Sequence, residues 1–286
     1  RRNIIMRIKE LTHNGSIVAD EIIIGKNVIF GKDIDIKVRG TFKIGDNGYI
    51  GDRFRAYGEN IILGDHFFYI PTDSREMFIG GGGSGFPYAN LTIGDRCTCH
   101  TGHINLAREV TIGNDVGLSH DVDIITHGFW ASPFKGFPQK TAPVVIGNNV
   151  IIGWKSIIMP DVHITDDVVI GAGAVVTKDI DHRGIYGGVP VKRIGDIVEP
   201  KDTEKVELLY TILDEFEDLL HYYHVPPYFI FRAYPLVTIN DLTINVDTLT
   251  CEGEHDEITD AFRDFIRRYG IRIFHKRGFE FKLERK

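Results

Sequence analysis

The stretch that decides the fold runs from Ile146 to Asp181 and reads, in blocks of six residues, IGNNVI, IGWKSI, IMPDVH, ITDDVV, IGAGAV and VTKDID. Every block opens with Ile or Val, and three of the six carry Gly in second place. A period of six fits neither an α-helix nor an amphipathic strand, but it is typical of a parallel β-helix, in which each block forms one side of a coil. The stretch therefore predicts two stacked coils, with the leading aliphatic side chains inward and glycine in a turn conformation that other residues avoid.

The same spacing recurs towards the N-terminus. Further blocks are led by Ile24, Phe30 and Ile36, by Ile44, Ile50, Ala56 and Ile62, by Ile93, Cys99 and Asn105, and by Ile112, Leu118 and Ile124. Because a coil cannot bury its inner face alone, such coils must stack into one solenoid, and we predict a mainly β domain over residues 1–195. Asn105 is polar at a leading place, which indicates either an unusual inward polar group or a slip in the register.

Two segments interrupt the repeat. Residues 70–91 contain the glycine run Gly80–Gly83, which lacks the Lys-Ser/Thr of a P-loop and is therefore predicted to be a flexible excursion rather than a phosphate cradle. Residues 128–143 read GFWASPFKGFPQKTAP and form an aromatic, proline-rich loop. An exposed aromatic loop is typical of a partner surface; the alternative is a loop that folds back on its own solenoid.

The pattern changes after Ile194. Residues 206–220 follow helical spacing, residues 226–250 alternate like strands, and residues 256–269 are predicted to be a second helix closed by Gly270. A final hairpin is predicted around Gly278. Residues 196–286 are thus predicted to form a small α+β domain of unassigned role.

Composition narrows the function classes. The net charge of −7 disfavours a general nucleic-acid binder, although a local basic pocket for a phosphorylated ligand remains compatible with it. The three cysteines, Cys97, Cys99 and Cys251, indicate no disulfide scaffold, so we expect a reducing, cytoplasmic setting. There is no apolar run of membrane-spanning length and no recognisable secretory signal. Cys97 and Cys99 with His100 and His103 lack zinc-ligand spacing, and no metal is predicted.

The end of the repeat carries a family resemblance. IGAGAVVTKDI (170–180) followed by YGGVPVKRI (186–194) resembles the close of the left-handed β-helix acyltransferases with hexapeptide repeats. That family includes the galactoside and maltose acetyltransferases, the xenobiotic acetyltransferases and many polysaccharide O-acetyltransferases. The resemblance implies a left-handed solenoid, acetyl-CoA as co-substrate and a homotrimer with sites between subunits. It also implies that the loop over 128–143 helps to build a neighbour's active site.

His127, in DIITH immediately before the aromatic loop, is the leading candidate for a general base, because histidine titrates near neutral pH. The resemblance implies the same role, since the catalytic histidine of the family precedes such a loop. His120, in GLSHDVD, is its competitor, although a surface or core role suits its place inside a block. An oxyanion forms during transfer from a thioester and needs a preorganised donor; the resemblance assigns that role to the backbone N–H of Trp154.

Acceptor and donor contacts complete the predicted site. Asp121 and Asp123 are candidates to orient a histidine or bind acceptor hydroxyls, and both are equally explained as exposed polar positions. Phe129 and Trp130 are candidates to stack on a sugar ring. The resemblance assigns the acetyl-CoA arm, adenine and phosphates, the last through charge-assisted contacts, to Gly153, Ala172, Thr177, Lys178, Val189, Pro190, Lys192 and Arg193.

The sequence therefore predicts a CoA-dependent acetyltransferase that acts on a hydroxyl of a sugar or glycan-type acceptor. Two alternatives stay open. One is an N-acetyltransferase of an amino sugar or nucleotide-linked amino sugar, and the other is a β-helix scaffold without catalysis. The retained His127 and the TKDI and GVP segments argue against the scaffold.

Overall fold

The structure is a computed structural model that describes residues 7–11, 14–71, 75–81, 86–128, 131–225 and 228–273. The chain divides into two compact units, of which the first ends at Ile197 and the second begins at Val198. The first unit is a left-handed parallel β-helix and the second is α+β, so the predicted fold class is confirmed.

The first unit consists almost entirely of short strands. In chain order they are β1 (Arg7–Leu11), β2 (Gly15–Ala19), β3 (Glu21–Ile24), β4 (Ile29–Phe30), β5 (Asp35–Val38), β6 (Thr41–Ile44), β7 (Tyr49–Ile50), β8 (Phe54–Gly58), β9 (Asn60–Leu63), β10 (Phe68–Tyr69), β11 (Met77–Gly80), β12 (Asn90–Ile93), β13 (Thr98–Cys99), β14 (Gly102–Asn105), β15 (Val110–Ile112), β16 (Gly117–Leu118), β17 (Val122–Ile124), β18 (His127–Gly128), β19 (Lys140–Thr141), β20 (Val144–Ile146), β21 (Val150–Ile152), β22 (Ile157–Ile158), β23 (His163–Ile164), β24 (Val168–Ile170), β25 (Val175–Val176), β26 (Gly184–Gly187) and β27 (Lys192–Gly195).

Three sheets form the walls of the solenoid, and each coil adds one strand to each wall in turn. The first wall has the order β1-β2-β5-β8-β11-β14-β17-β22-β25, the second β23-β20-β15-β12-β9-β6-β3 and the third β27-β26-β24-β21-β16-β13-β10-β7-β4. We call the turn from the first to the second wall the His127 corner and the turn from the third to the first wall the Trp154 corner, after residues that lie there. β18 and β19 pair antiparallel and frame the aromatic loop, which leaves at the His127 corner.

The leading residues of the blocks form the core. Ile146, Ile152, Ile158, Ile164, Ile170 and Val176 are each at most 1% exposed. Further back, Ile36, Ile44, Ile50 and Ala56 are likewise buried, whereas Ile24 and Phe30 are only partly buried. In the next block Ile61 and Leu63 are buried, and Ile62 lies between them on the outer face. The step from Ala56 to the next inward leader is seven residues, and a one-residue change moves a strand residue to the opposite face.

The repeat glycines permit close stacking instead of supplying the turn conformation. A Cβ on Gly147 would lie 2.3 Å from Asp166 Oδ1 and 2.8 Å from the Asp166 backbone nitrogen, so a side chain there would displace the next coil. The left-handed backbone falls in fourth place, at Asn149 (φ 54°) and Asp115 (φ 58°), residue types that tolerate it. The expectation for second-place glycine is therefore wrong. Of the glycines between Ile146 and Asp181, only Gly173 has a left-handed φ, 70°, and it is in fourth place.

The first interruption is shorter than the predicted 70–91. β11 continues the first wall in register with β8, and its Met77 and Ile79 are buried. The prediction of one continuous excursion is therefore wrong. The corners on both sides of β11 contain added residues, so its inward residues do not follow the six-residue spacing of the other blocks. The glycine run begins inside β11 at Gly80, and Gly82 and Gly83 lie outside the described residues.

The second unit has its own core. Its elements are α1 (Asp202–Tyr222), β28 (Ile230–Ala233), β29 (Leu236–Ile239), β30 (Leu242–Asn245), β31 (Thr250–Gly253) and α2 (Glu257–Ile266), followed by a 3-10 turn at Arg267–Tyr269. The strands form one antiparallel sheet, and α1 buries Leu209 and Phe216 against residues that include Phe262 of α2. The hairpin predicted around Gly278 lies outside the described residues. None of the helices in the described ranges combines the length and apolar character needed to cross a bilayer.

Candidate functional site

His127 directly follows the first wall, at the point where the aromatic loop leaves the solenoid. Asn105 lies one coil earlier, directly after the inward-facing Ile104, and is 2% exposed. Its side-chain Oδ1 lies 2.7 Å from His127 Nδ1. Of the two interpretations of Asn105, the slip in the register is correct: the inward leader of β14 is Ile104, which aligns with Ile124, and Asn105 follows it at the corner.

The hydrogen bonds around Asn105 fix the tautomer of His127. The backbone N–H of Ala107 donates to Asn105 Oδ1 at 3.2 Å, and Asn105 Nδ2 donates to the Gly80 carbonyl at 3.3 Å. A backbone N–H can only donate and a carbonyl only accept, so these partners assign the orientation of the amide. His127 Nδ1 must then carry the proton and donate to Oδ1, which places the ring lone pair on Nε2. This is the tautomer that a general base needs.

Thr126 ties this pair to the next segment of chain. Its hydroxyl donates to Asn105 Oδ1 at 2.7 Å and accepts the backbone N–H of Arg108 at 3.1 Å. Thr126 is fully buried, and its carbonyl accepts the Ala142 N–H at 3.0 Å where the loop returns. The backbone on either side of His127 is therefore held by hydrogen bonds to the neighbouring coil and to the end of the loop.

Trp154 lies at the opposite edge of the first wall. β17 and β22 pair so that Ile124 aligns with Ile158; His127 follows that aligned pair by three residues and Trp154 precedes it by four. At a rise of about 3.3 Å per residue, the two sites are separated by about 20 Å along the wall. Sequence reasoning assigned both residues to one reaction, but a single chain does not bring them together.

A second cluster of polar and aromatic side chains surrounds Trp154. Its indole Nε1 donates to Asp121 Oδ2 at 3.3 Å, and its ring lies 5.5 Å from that of His120. The His120 ring in turn lies 4.1 Å from that of His100, at a tilt of 38°. Arg75 forms an ion pair with Asp121. Burial alone would raise the pKa of Asp121, but the hydrogen bonds from Arg75 and Trp154 outweigh it and lower that pKa. The predicted acceptor residues His120 and Asp121 thus lie at the Trp154 corner, away from His127.

The residues predicted for acetyl-CoA also divide between the two corners. Gly153 and Ala172 stack at the Trp154 corner, where a Cβ on Gly153 would lie 2.6 Å from the Ala172 nitrogen. The others lie towards the C-terminal coils. A groove of about 280 Å³ there is lined by Thr177, Lys178, Asp179, Ile180, Tyr186, Pro190, Val191, Lys192 and Arg193. Val189, next to Pro190, is 71% exposed.

A larger cleft lies below His127. It measures about 790 Å³ and is lined by Gly128, Ala131, Phe137, Pro138, Gln139, Lys140, Met159, Pro160 and Thr177. One side is the aromatic loop, in which Phe134 is 99% exposed and Phe137 is 52% exposed. The cleft shares Thr177 with the basic groove, so a ligand in the groove can extend towards the base.

The comparisons with known proteins agree with this architecture. The profile of the bacterial transferase hexapeptide family, which has six repeats, matches residues 143–178. Residues 143–178 therefore carry repeats of the bacterial transferase hexapeptide type.

The relatives of the hexapeptide-repeat domain include two curated proteins. The galactoside O-acetyltransferase of Escherichia coli (strain K12) is 32% identical over 157 residues, which are 54% of this chain and 63% of that protein. A chloramphenicol acetyltransferase of Klebsiella aerogenes is 45% identical over 118 residues, 36% of this chain and 50% of that protein. The chain thus spans between half and two thirds of the length of these relatives. A solved structure of a polysialic acid O-acetyltransferase covers 64% of this chain and 88% of its own, with a TM-score of 0.50 and 21% identity, and it supports the fold.

The remaining predicted residues of the hexapeptide-repeat domain fall outside the His127 network. Asp123 lies on the outer face of β17 beside His103, and burial raises its pKa. Phe129 and Trp130 lie outside the described residues. Within the described ranges, no group of three or more His, Cys, Asp or Glu side chains could hold a metal.

Sequence reasoning missed two side chains beside the site. The Arg108 guanidinium carbon lies 4.2 Å from the centroid of the Tyr88 ring, and the Phe86 ring stacks on Tyr88 with centroids 5.4 Å apart and planes 14° apart. Tyr88 and Arg108 are 20 residues apart and meet only because consecutive coils stack. A periodicity that identifies inward positions carries no signal for an outward pair of this kind.

Proposed function

We propose that the protein is a CoA-dependent acetyltransferase that transfers an acetyl group from acetyl-CoA to a hydroxyl of a sugar or glycan-type acceptor. The observation that carries the proposal is the 2.7 Å hydrogen bond between His127 Nδ1 and Asn105 Oδ1. It holds the imidazole in the tautomer that can take a proton at Nε2, next to a cleft of substrate size. The relatives named as O-acetyltransferases support the reaction class.

The reaction follows from the two corners. His127 Nε2 removes the proton from the acceptor hydroxyl as its oxygen attacks the acetyl carbonyl. The carbonyl becomes a tetrahedral oxyanion, which accepts a hydrogen bond from the Trp154 backbone N–H; among the described residues that N–H has no acceptor of its own. The C–S bond then breaks, the acetyl ester is released, and the CoA thiolate takes the proton back from His127.

Acetyl-CoA fits the charges of the C-terminal coils. Lys178, Lys192 and Arg193 line the basic groove, although the Arg193 guanidinium is shared with Asp196. Phosphate oxygens are well matched to such side chains. The pantetheine arm would run from this groove past Thr177 to the acetyl group at His127.

We propose that the active unit is a homotrimer in which His127 of one subunit faces the Trp154 corner of the next. The support is the separation of about 20 Å along one wall, because general base and oxyanion donor must both lie within hydrogen-bond reach of one acetyl group. Cyclic symmetry places the same two corners at every interface. The exposed aromatic loop at the His127 corner is then available to cover the neighbour.

The first test is thiol release from acetyl-CoA across a panel of sugars, amino sugars and nucleotide sugars, with the wild-type chain beside His127→Ala. We expect turnover with hydroxyl acceptors and a loss of at least 100-fold in the variant, the range of general-base contributions. Turnover confined to amino sugars would replace the O-transfer proposal with N-transfer. Full activity in the variant, or no acetyl-CoA binding at all, would refute the proposed function.

The second test mixes two inactive variants. His127→Ala removes the base, and Ala172→Trp blocks the exposed Trp154 corner of the other subunit. If each site combines the His127 corner of one subunit with the Trp154 corner of the next, a site is intact only where an Ala172→Trp subunit supplies His127 and a His127→Ala subunit supplies the Trp154 corner. In randomly mixed trimers about a quarter of the sites meet this condition. No recovery, with mixed trimers shown by native mass spectrometry, would contradict a shared site.

A further inference from the structure

We infer that Arg108, held against Tyr88, binds a carboxylate of the acceptor and makes the enzyme selective for acidic sugars. The inference rests on the proposed function and deepens it by assigning the substrate class. Four observations carry it: the position of Arg108 relative to the base, its support by Tyr88, its charge balance, and the exposed ring beside it.

The position is fixed by the same network as the base. The Arg108 backbone N–H donates to Thr126 Oγ1 at 3.1 Å, and Thr126 directly precedes His127. Coils of a β-helix are stacked at the spacing of neighbouring strands, about 4.8 Å, so Arg108 lies about one coil above the base. The 790 Å³ cleft lies on the opposite, C-terminal side of His127. An acceptor reaching His127 from the N-terminal side would therefore pass Arg108.

The guanidinium is oriented without being neutralised. It lies over the Tyr88 ring at 4.2 Å, an arrangement that fixes the plane of an arginine while leaving its N–H edge for other partners. No carboxylate of the described residues lies within ion-pair distance of it, whereas Arg75, Arg96 and Arg39 each pair with an Asp or Glu. The chain has a net charge of −7, yet Arg108 has no acidic partner among the described residues and lies beside the candidate base His127. Such a placement indicates that the guanidinium binds an anionic ligand.

The neighbouring rings supply a surface for the sugar itself. Phe86 is 53% exposed and Tyr88 is 37% exposed, and their planes are nearly parallel at 14°. Flat, exposed aromatic faces pack against the apolar face of a sugar ring, and Tyr can also hydrogen-bond to it. A carboxylate on the guanidinium and a ring on this surface would together set which hydroxyl meets His127.

The test compares acids with their neutral counterparts. Initial rates are measured with hexuronic acids against the matching hexoses, and with a sialic acid against its methyl ester, for wild type and Arg108→Gln. We expect the wild type to prefer the acid. Arg108→Gln should lower kcat/KM for the acid by about 10- to 150-fold, the range for a hydrogen bond to a charged group, and leave the neutral partner and the KM for acetyl-CoA unchanged. Arg39→Gln, an exposed arginine on an earlier coil, is the matched control.

Other results would overturn the inference. Equal losses for acid and neutral acceptors would mean that Arg108 only holds the segment that carries Tyr88. A wild type without preference for acids would refute the assignment outright. Arg108→Lys, which keeps the charge but loses the planar fork, should fall between wild type and Gln, and it replaces Gln if that variant does not fold. If no acceptor turns over, titration calorimetry of the acidic sugars with wild type and Arg108→Gln still decides whether Arg108 binds a carboxylate. In that case the absence of thiol release in the acceptor panel refutes the proposed function separately.

Discussion

Asn105→Ala removes the group that accepts the His127 Nδ1 proton at 2.7 Å. During transfer His127 becomes an imidazolium, so this bond is a hydrogen bond from a charged donor in the transition state and contributes about 1.5–3 kcal/mol. We therefore expect kcat/KM to fall by about 10- to 150-fold, with acetyl-CoA binding unchanged. The assay is steady-state thiol release with the best acceptor of the panel.

The same substitution should cost stability, because the buried Ala107 N–H loses its acceptor, whereas the Thr126 hydroxyl keeps the Asn105 backbone carbonyl at 3.0 Å. A buried donor left unsatisfied costs about 1–3 kcal/mol, measured by urea unfolding. Asn60→Ala is the matched control: its amide also bridges two coils, with bonds of 2.8 Å to Thr41 and Asn90. It should lose comparable stability and keep kcat/KM. If both variants lose activity in proportion to stability, Asn105 has only a structural role.

Asn105→Asp separates positioning from packing. A carboxylate still accepts from His127 Nδ1, and it favours the protonated imidazole, which cannot act as a base. The acidic limb of the kcat/KM profile should therefore move to higher pH, with substantial activity recovered on the alkaline side. A profile superimposable on that of the wild type, or an Asn105→Ala variant within threefold of wild-type kcat/KM, would refute the assigned hydrogen bond.

Three further predictions concern the framework. Gly147→Ala should lower the free energy of unfolding by about 1–3 kcal/mol, because its Cβ would overlap Asp166; urea unfolding checks this, and a neutral result would contradict the close stacking. Ile158→Ala, at a fully buried leading place, should cost about 2–5 kcal/mol in the same assay. Arg263→Ala removes the 3.1 Å ion-pair partner of buried Asp260 and leaves His255 at 3.4 Å, so it should cost about 3 kcal/mol, the lower end of the range for a broken buried pair; the loss should appear in the near-ultraviolet transition of the second unit, and Asp260→Leu combined with Arg263→Met should cost less.

Sequence periodicity predicted the walls of the solenoid because inward positions repeat with fixed spacing. It failed where a corner contains an added residue, as between Ala56 and Leu63. The six-residue spacing of inward positions then begins again from a new residue, and nothing in the sequence shows where. It also assigned the wrong role to second-place glycine. Glycine is required both in a left-handed turn and where two backbones lie in close contact, and the sequence does not tell these two cases apart. At Gly147 the close contact with the neighbouring coil identifies the second case.

The candidate site was predictable only in part. His127 is recognisable from its place before the loop, but its partner Asn105 lies 22 residues earlier, and only stacking brings the two together. Trp154 and His127 were assigned to one reaction, which a single chain does not allow. Contacts across coils or subunits leave no trace in local spacing, so this part of the prediction required coordinates.

Asn105 also shows how a repeat built for burial can hold a polar site. Asn105 is buried directly after the inward leader Ile104, and a buried amide is costly unless each of its groups has a partner. In this chain the first interruption and the start of the aromatic loop flank that place, and Gly80, Ala107, Thr126 and His127 supply the partners. Ile125 and Met159, which follow the aligned leaders of the next two coils, are apolar and could not orient a histidine in this way. The two interruptions of the repeat therefore flank the buried amide that orients the base at this corner. Asn105→Leu, which puts an apolar side chain in this place as in the next two coils, should yield a protein that retains its fold and loses its transfer activity.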